Sequence, residues 1–210
     1  YGWTKTRDGQ VGFAFGGKVY APGGVTELAP PADRVLASRF TAVGDLANWK
    51  QASDLLMGMG RMDLQCIVAA SFAAPLIHFS GQSGLMFSAF SPESGAQKSS
   101  AMKVALSVWG DPVGGMSRLD DTANHVGKKL GQLRNLPVFW DELHHRDQTE
   151  QFAKLGFALT LGTEKGRLGQ NTEMREAGSW ATMLIVASNP GVRQVMLNGT
   201  ISNSAAGVNR

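Results

Sequence analysis

Hydrophobic positions change their spacing along the N-terminal part of the chain, and each change marks a different element. Short apolar runs alternate with Gly and Pro over residues 1–45, as in VGFAFGGKVYAPGGV, which predicts a small β-rich segment with one or two hairpins. From Asp45 to Phe79 the apolar spacing is helical, which predicts two packed helices. The run IVAASFAAPLIHF (67–79) is shorter than the roughly 20 residues that span a bilayer. We therefore expect it to be a buried helix, and we expect no membrane segment.

Three apolar runs in the rest of the chain predict β-strands, and the segments between them have helical spacing. The predicted strands are LMFSAF (85–90), LPVFWDEL (136–143) and TMLIVASN (182–189). The predicted helices open at Lys98, at a cap formed by Asp120 or Asp121, and in RDQTEQFAKLGFALTL (146–161). A charged, Gly-containing segment at 163–180 precedes the last strand and predicts a hairpin. Solid apolar strands that alternate with helices favour an α/β fold, with a parallel sheet core flanked by helices.

Composition and charge narrow the functional classes only slightly. With 43% hydrophobic residues and a mean hydropathy of -0.11, the chain is typical of a soluble globular protein. A net charge of +3 permits a phosphate-rich partner without requiring one. Cys66 is the single cysteine, which excludes a disulfide framework and a cysteine-based zinc site and suits the cytoplasm. Because the chain opens at Tyr1 without methionine and stops at Arg210 after a run of small residues, we expect both ends to be cuts in a longer polypeptide.

The loop between the first of these strands and its helix matches part of a phosphate-binding loop. The general pattern G-x-x-x-x-G-K-[ST] corresponds to PESGAQKS, with Pro92 and Gln97 where glycines are expected. The features that remain suit phosphate binding, since they comprise a small-residue turn, a lysine for phosphates, a hydroxyl for Mg²⁺ and a helix start whose amides face an anion. The predicted nucleotide-contacting residues are Gly95, Ala96, Gln97, Lys98, Ser99 and Ser100. Taken alone, the loop is equally typical of an ordinary helix start with an exposed lysine.

Polar residues also end the other two predicted strands. Asp141 and Glu142 follow an apolar run, and paired acids at the end of a buried strand suit ATP hydrolysis, in which one holds Mg²⁺ and the next polarises the attacking water. Asn189 ends the last strand, where its amide would contact the γ-phosphate or the water. Taken singly, the acids are compatible with a solvated turn and the Asn-Pro pair with a simple turn. The three elements in this order favour a nucleotide site.

Together these segments resemble the ATPase domain of helicases similar to the mini-chromosome-maintenance (MCM) proteins, P-loop proteins of AAA+ type found in phages and mobile elements and long catalogued as a domain of unknown function. The resemblance covers most of the chain and rests on ASFAAPL, SGAQKSSAMKVALSVWGDP, LPVFWDEL, the basic hairpin and the ASN of the last strand. MCM-type loops also replace the last glycine before the lysine, so Gln97 fits this group. Beyond the β-rich segment (1–45), the resemblance implies an AAA+ ATPase core (46–210) without its C-terminal lid.

The resemblance implies a role for each polar residue of these segments, with ATP and Mg²⁺ as cofactors. Lys98 and Ser99 bind phosphate and Mg²⁺, and Asp141 coordinates Mg²⁺. Glu142 activates water and Asn189 is the residue that senses the γ-phosphate. The resemblance also implies a further catalytic residue, an arginine supplied by a neighbouring subunit.

Such motors are rings, expected here to be hexamers, in which an arginine of one subunit reaches the nucleotide of the next. Arg210 stands in the matching region, and Arg193 is the alternative. The hairpin carries Lys165, Arg167 and Arg175, which the resemblance points toward a nucleic-acid backbone in the central channel. A solvated turn neutralised by the three glutamates of the same segment is the competing interpretation.

The remaining conspicuous side chains have simpler interpretations. His144 and His145 are adjacent and lack a spaced third ligand, so solvated histidines are favoured over a metal site. Trp109, Trp140 and Trp180 lie in or beside apolar runs, and burial explains them without base stacking.

These inferences predict an ATP-dependent motor that translocates on or unwinds DNA, single-stranded DNA in particular, in the cytoplasm of a bacterial or phage-infected cell. Two alternatives stay open. One is a non-catalytic nucleotide-binding scaffold whose loop has decayed, and the other is an ATPase that packages DNA or loads a partner. Retention of Lys98, Ser99 and both acids argues against the scaffold, since a decayed site has no reason to keep a water-activating acid beside a metal-binding one.

Overall fold

The fold combines an antiparallel sheet, a parallel sheet and helices packed around the second. The computed structural model describes residues 1–29, 33–93, 95–117, 121–141, 155–164, 177–189 and 191. In chain order the elements are β1 (Gly2–Lys5), β2 (Val11–Phe15), β3 (Lys18–Ala21), β4 (Gly24–Leu28), α1 (Arg34–Arg39), α2 (Leu46–Gly58), α3 (Met62–Ala73), a 3-10 helix (Ala74–Phe79), β5 (Gly84–Phe90), α4 (Lys98–Ser107), α5 (Ala123–Leu133), β6 (Val138–Asp141) and β7 (Thr182–Ser188). Residues 155–161 are also helical. The predicted mixed α/β class is confirmed.

The first sheet is an antiparallel meander in the order β1-β2-β3-β4, which confirms the predicted hairpins. β2 turns into β3 at Gly16 and Gly17, whose φ angles of 58° and 76° suit the two-residue turn that a right-twisted hairpin needs. A short helix that the sequence pattern did not predict, α1, follows the sheet and begins at the side-chain cap of Asp33. Its Leu36 belongs to the main hydrophobic core, together with Phe40 just beyond its end.

The antiparallel sheet and Tyr1, which precedes it, pack against the rest of the molecule through aromatic side chains and hydrogen bonds. The ring of Phe13 lies 6.1 Å from that of Trp109, and the Trp3 indole N–H donates to the carbonyl of Pro75 over 2.8 Å. The Trp3 backbone N–H donates to the side chain of Asn135 over 2.9 Å. The Tyr1 hydroxyl donates to the Phe40 carbonyl over 3.1 Å. The N-terminal sheet therefore shares its buried surface with the helices that surround the second sheet.

The two helices predicted after Asp45 are α2 and α3, and α3 packs along α4. The prediction that residues 67–79 are buried was only half right. One face, including Ile67 and Ile77, is buried, whereas three large side chains of the other face are 50–60% exposed: Phe72, Leu76 and Phe79. By length and composition Met62–Phe79 is apolar enough to cross a membrane, and 44% of the stretch is buried within the protein.

The second sheet is parallel, in the order β5-β7-β6, and confirms the predicted parallel core. Its central strand is the last in sequence, and Leu184, Ile185, Val186 and Ala187 are all buried. Because successive side chains of a strand point to opposite faces, both faces of the sheet are covered. The register aligns the carboxyl ends of the strands, with Phe90 paired to Ser188 and Asp141 paired to Ala187.

α5 begins one or two residues later than the sequence pattern predicts. Its cap is Thr122, whose hydroxyl accepts from the amide of His125 over 3.2 Å, so the assignment of the cap to Asp120 or Asp121 was wrong. The reason is geometric, since a capping oxygen must lie two or three residues before the amide that it receives. Asp121 instead lies 3.9 Å from the imidazole of His125.

The ends of the predicted hairpin pair as expected. Thr163 forms an antiparallel bridge with Ser179, and the amide of Glu164 donates to the carbonyl of Gly178 over 2.8 Å. The residues between, 165–176, lie outside the described residues, as do His144 and His145.

The three tryptophans expected to be buried differ in how far the core encloses them. Trp140 and Trp180 are buried, as predicted. Trp109 is half-buried and packs against the antiparallel sheet, with its ring 5.8 Å from that of Phe15. Packing within the protein therefore accounts for all three rings.

Candidate functional site

The loop from β5 into α4 turns through left-handed backbone on both sides of Ala96. Gly95 has a φ of 80°, and Gln97 has a φ of 64° with a ψ of 13°. Left-handed backbone costs a residue other than glycine about 1–2 kcal/mol, which explains why the general loop pattern has glycine at the position of Gln97. Pro92, at the other glycine position, is exposed, and its ring holds φ negative, so this chain does not use that position for a left-handed turn.

The N-terminus of α4 carries no side-chain cap. The cap position is Gln97, whose side chain makes no hydrogen bond to the first turn, whereas the side chains of Asp33, Asp45 and Thr122 cap α1, α2 and α5. The first amides of a helix are donors without intrahelical partners, and they carry the positive end of the helix dipole. The start of α4 therefore has the donors that an anion needs.

Lys98, the first residue of α4, folds its ammonium back over the loop. Its Nζ donates to the carbonyl oxygens of Ser91 over 3.1 Å and Glu93 over 3.4 Å, and to Oδ1 of Asn189 over 3.2 Å. All three acceptors are uncharged. These contacts therefore do not pair the ammonium with an acid, and it already spans the gap between the loop after β5 and the residue after β7.

The next residue of α4 reaches the end of β6. Ser99 Oγ donates to Oδ1 of Asp141 over 3.0 Å, and both side chains are half-buried. A hydroxyl and a carboxylate at this separation are two hard oxygen ligands of the kind that Mg²⁺ prefers. The donor set therefore fits a magnesium ion shared with a phosphate group.

The structure brings together four of the residues that the sequence singled out: Lys98, Ser99, Asp141 and Asn189. Gly95, Ala96 and Gln97 form the loop beside them, and Ser100 is exposed on the first turn of α4. The other predicted site residues lie outside the described residues: Glu142, Lys165, Arg167, Arg175, Arg193 and Arg210. Within the part of the chain that is described, no group of three or more His, Cys, Asp or Glu side chains is placed to hold a metal by itself.

Sequence reasoning missed two features, the backbone acceptors of Lys98 and a buried lysine on α5. The carbonyls of Ser91 and Glu93 hold the ammonium of Lys98, and no side-chain pattern reveals a backbone acceptor. Lys129 on α5 was also missed, although a signal existed. It adjoins the apolar positions Val126, Leu130 and Leu133, whose helical spacing places it on the buried face.

A comparison with protein-family models shows which family the chain belongs to. Residues 1–179 match the family model described as a domain of unknown function, DUF927. The chain belongs to this family. The description of DUF927 names no activity, and no curated protein matches the sequence.

A solved structure described as "SCCmec type IV Cch - active helicase" is similar to this DUF927 chain. The TM-score is 0.64 at 23% sequence identity, and the match covers 92% of this chain and 36% of the helicase chain. The DUF927 chain therefore corresponds to about a third of that helicase in length. At this identity the similarity shows a shared fold.

Proposed function

We propose that this DUF927 chain is the ATP-binding and ATP-hydrolysing part of a nucleic-acid motor, with a P-loop core of AAA+ type. The observation that carries the proposal is the meeting of Lys98, the Ser99–Asp141 pair and Asn189 at one edge of a parallel sheet, beside an uncapped helix start. Ligands of open α/β sheets bind at this carboxyl edge. The fold shared with a mobile-element helicase supports the same function.

Each side chain at the edge has a role in binding ATP. The loop from Gly95 to Gln97 and the first amides of α4 surround the phosphates, and the Lys98 ammonium exchanges its three neutral acceptors for phosphate oxygens. Ser99 and Asp141 would hold Mg²⁺, which would neutralise charge on the phosphates when bound. Asn189 loses its contact with Lys98 at the same time, so its amide becomes available to the γ-phosphate or to the attacking water.

Hydrolysis requires a base and a further positive charge. We assign the base to Glu142, which directly follows Asp141 in the sequence. We assign the positive charge to an arginine of a neighbouring subunit in a hexameric ring, Arg210 or alternatively Arg193. An arginine supplied in trans makes hydrolysis depend on assembly, which is a common arrangement in phosphoryl transfer.

The nucleic-acid contact is assigned to the hairpin, through Lys165, Arg167 and Arg175. Its paired ends are fixed to the core by Trp180, one residue past the hairpin bridge. The backbone amide of Trp180 donates to Gly162 over 2.8 Å, and its indole N–H donates to the carbonyl of Leu159 over 3.0 Å. Basic side chains on such a support would contact the phosphates of single-stranded DNA without reading its sequence. Binding should therefore weaken steeply with salt.

The first test is the binding of a fluorescent ATP analogue with Mg²⁺. The unmodified protein is expected to bind saturably, and Lys98→Ala to bind about 10- to 100-fold more weakly, since one charged hydrogen-bonding contact is worth about 1.5–3 kcal/mol. The matched control is Lys103→Ala, which removes an exposed lysine from the same helix and should bind normally. Absence of binding in the unmodified protein, or equal binding by Lys98→Ala, would contradict the proposal.

The second test addresses the motor. In the assembled ring, single-stranded DNA should stimulate ATP hydrolysis, and Glu142→Gln should abolish hydrolysis while leaving analogue binding intact. Analogue binding without any hydrolysis in the ring would favour the scaffold alternative instead. Hydrolysis that DNA does not change would favour an ATPase that loads a partner.

A further inference from the structure

Lys129 is the only charged side chain that is buried among the residues that the structure describes. It lies on α5 and is 7% exposed, and its Nζ donates to the carbonyl of Gly115 over 2.5 Å and to Oγ of Ser117 over 3.1 Å. Both acceptors are neutral. Burial lowers the pKa of Lys129 to about 8, against the opposing attraction of Asp121. Because its hydrogen-bond acceptors among the described residues are neutral, burying this ammonium costs stability that an apolar side chain of the same size would not.

The two acceptors belong to a short segment that runs beside the end of β6. Ser117 forms a parallel bridge with Trp140. Its amide donates to the Phe139 carbonyl over 2.8 Å, and its carbonyl accepts from the amide of Asp141 over 3.2 Å. Residues 115–117 therefore add one rung to the sheet on the side of β6 that faces away from β7.

This rung fixes the backbone of the residue whose carboxylate meets Ser99. Asp141 is paired with Ala187 of β7 on one side and bonded to Ser117 on the other. An isolated bridge has only two backbone hydrogen bonds, whereas a full strand has a ladder of them. The position of the rung therefore also depends on what holds it from its other side. There the ammonium of Lys129 donates to Gly115 and Ser117, and the amide of Gly115 donates to the carbonyl of Asp111 over 3.0 Å.

We propose that Lys129 is a positioning residue for the Mg²⁺ site: it clamps residues 115–117 to α5, and through Ser117 it sets the place of the Asp141 carboxylate relative to Ser99. The inference rests on the proposed function, because it takes Asp141 and Ser99 as the Mg²⁺ ligands. Outer partners that orient metal ligands typically change metal affinity by about 10- to 100-fold when they are removed. Lys129 does not touch the nucleotide loop, so its effect is confined to the metal.

The test compares analogue binding with Mg²⁺ and with EDTA in the unmodified protein and in Lys129→Met, which shortens the unbranched side chain by one atom and removes its charge. The concentration of Mg²⁺ that gives half of its effect on binding should rise about 10- to 100-fold. Affinity in EDTA should stay the same, because Lys98 and α4 are unchanged. The free energy of unfolding should be equal or higher, since the buried charge is gone.

Two further variants separate positioning from general damage. Lys128→Met removes the exposed neighbouring lysine of α5 and should behave as the unmodified protein does. Ser117→Ala keeps the backbone rung but removes one acceptor of Lys129, and should raise the Mg²⁺ requirement in the same direction. The double variant of Ser117 and Lys129 should then add little to Lys129→Met, because the two residues act in one chain of contacts.

The outcomes distinguish this inference from the proposed function. If the unmodified protein binds no analogue, the proposed function fails and the inference falls with it. If the unmodified protein binds and Lys129→Met has the same Mg²⁺ requirement, the inference alone fails. It also fails if Lys129→Met loses EDTA affinity and unfolding free energy together, because Lys129 would then support the fold in general. Should Lys129→Met not fold, an unchanged Mg²⁺ requirement in Ser117→Ala would overturn it.

Discussion

Replacing Asn135 with Ala tests whether the antiparallel sheet is an integral part of the fold. Asn135 is 3% exposed and follows α5 closely in the chain. Its Oδ1 accepts from the backbone amide of Trp3 over 2.9 Å, and its Nδ2 donates to the carbonyl of Ala181 over 3.0 Å. Trp3 lies in β1 and Ala181 directly precedes β7. One side-chain amide thus joins the two sheets.

The size of the effect follows from these two contacts. Removing the amide leaves a donor and an acceptor without their partner, at about 1–3 kcal/mol for each buried group. Both contacts are only part-buried, so water reaches them and the lower part of that range applies. We expect a loss of about 2–4 kcal/mol, and because 1 kcal/mol shifts the Tm of a chain of this size by about 2–4 °C, a fall of about 5–15 °C.

The assay is urea and thermal unfolding, followed by tryptophan fluorescence and circular dichroism. The control is Asn124→Ala, an exposed asparagine at the start of α5, which should change stability by less than about 0.5 kcal/mol. Trp3 reports on the antiparallel sheet and Trp140 on the parallel sheet, and both signals should move together in one transition. A loss below about 1 kcal/mol, or an earlier separate transition of the antiparallel sheet, would refute the reasoning.

Three further predictions concern the loop, the metal pair and the buried lysine. Gln97→Gly should raise the free energy of unfolding by about 0.5–1 kcal/mol in urea titrations, because Gln97 has left-handed backbone; a decrease would contradict that conformation. Ser99→Ala should weaken analogue binding about tenfold or more with Mg²⁺ but hardly at all in EDTA, and an equal loss in both would exclude a metal role. The pKa of Lys129 is lowered to about 8, by burial first, with Asp121 raising it and Arg39 lowering it. In the unfolded chain a lysine has a pKa of about 10.4, so the unfolded state binds more protons than the folded state between pH 8 and 10.4. The free energy of unfolding of the unmodified protein, relative to that of Lys129→Met, should therefore rise across that window by up to about 3 kcal/mol. A difference that stays constant from pH 7 to pH 10 would show that Lys129 is not buried as described.

Much of the local structure was predictable from the pattern of residues. The strand before the loop, the helix that opens at Lys98, the strand that ends at Asp141 and the strand that Asn189 follows all lie where apolar runs and turn residues placed them. Such patterns report on the backbone of a residue and on whether its own side chain is buried, and both are local properties. The candidate site was therefore visible as three separate elements.

The sequence by itself determined which polar side chains stand at the end of each strand. Only the tertiary structure decided that the strand before Asn189 lies between the other two strands of the sheet. This order places the side chain of Asn189 against the Lys98 ammonium, and Asp141 meets Ser99. It also decided that Lys129 is buried beside β6, and that the outer face around Phe72 is exposed. Strand order, register and the partner of a helix face are set by packing between residues far apart in the chain, and a pattern of neighbouring residues contains no information about which distant surface each face meets.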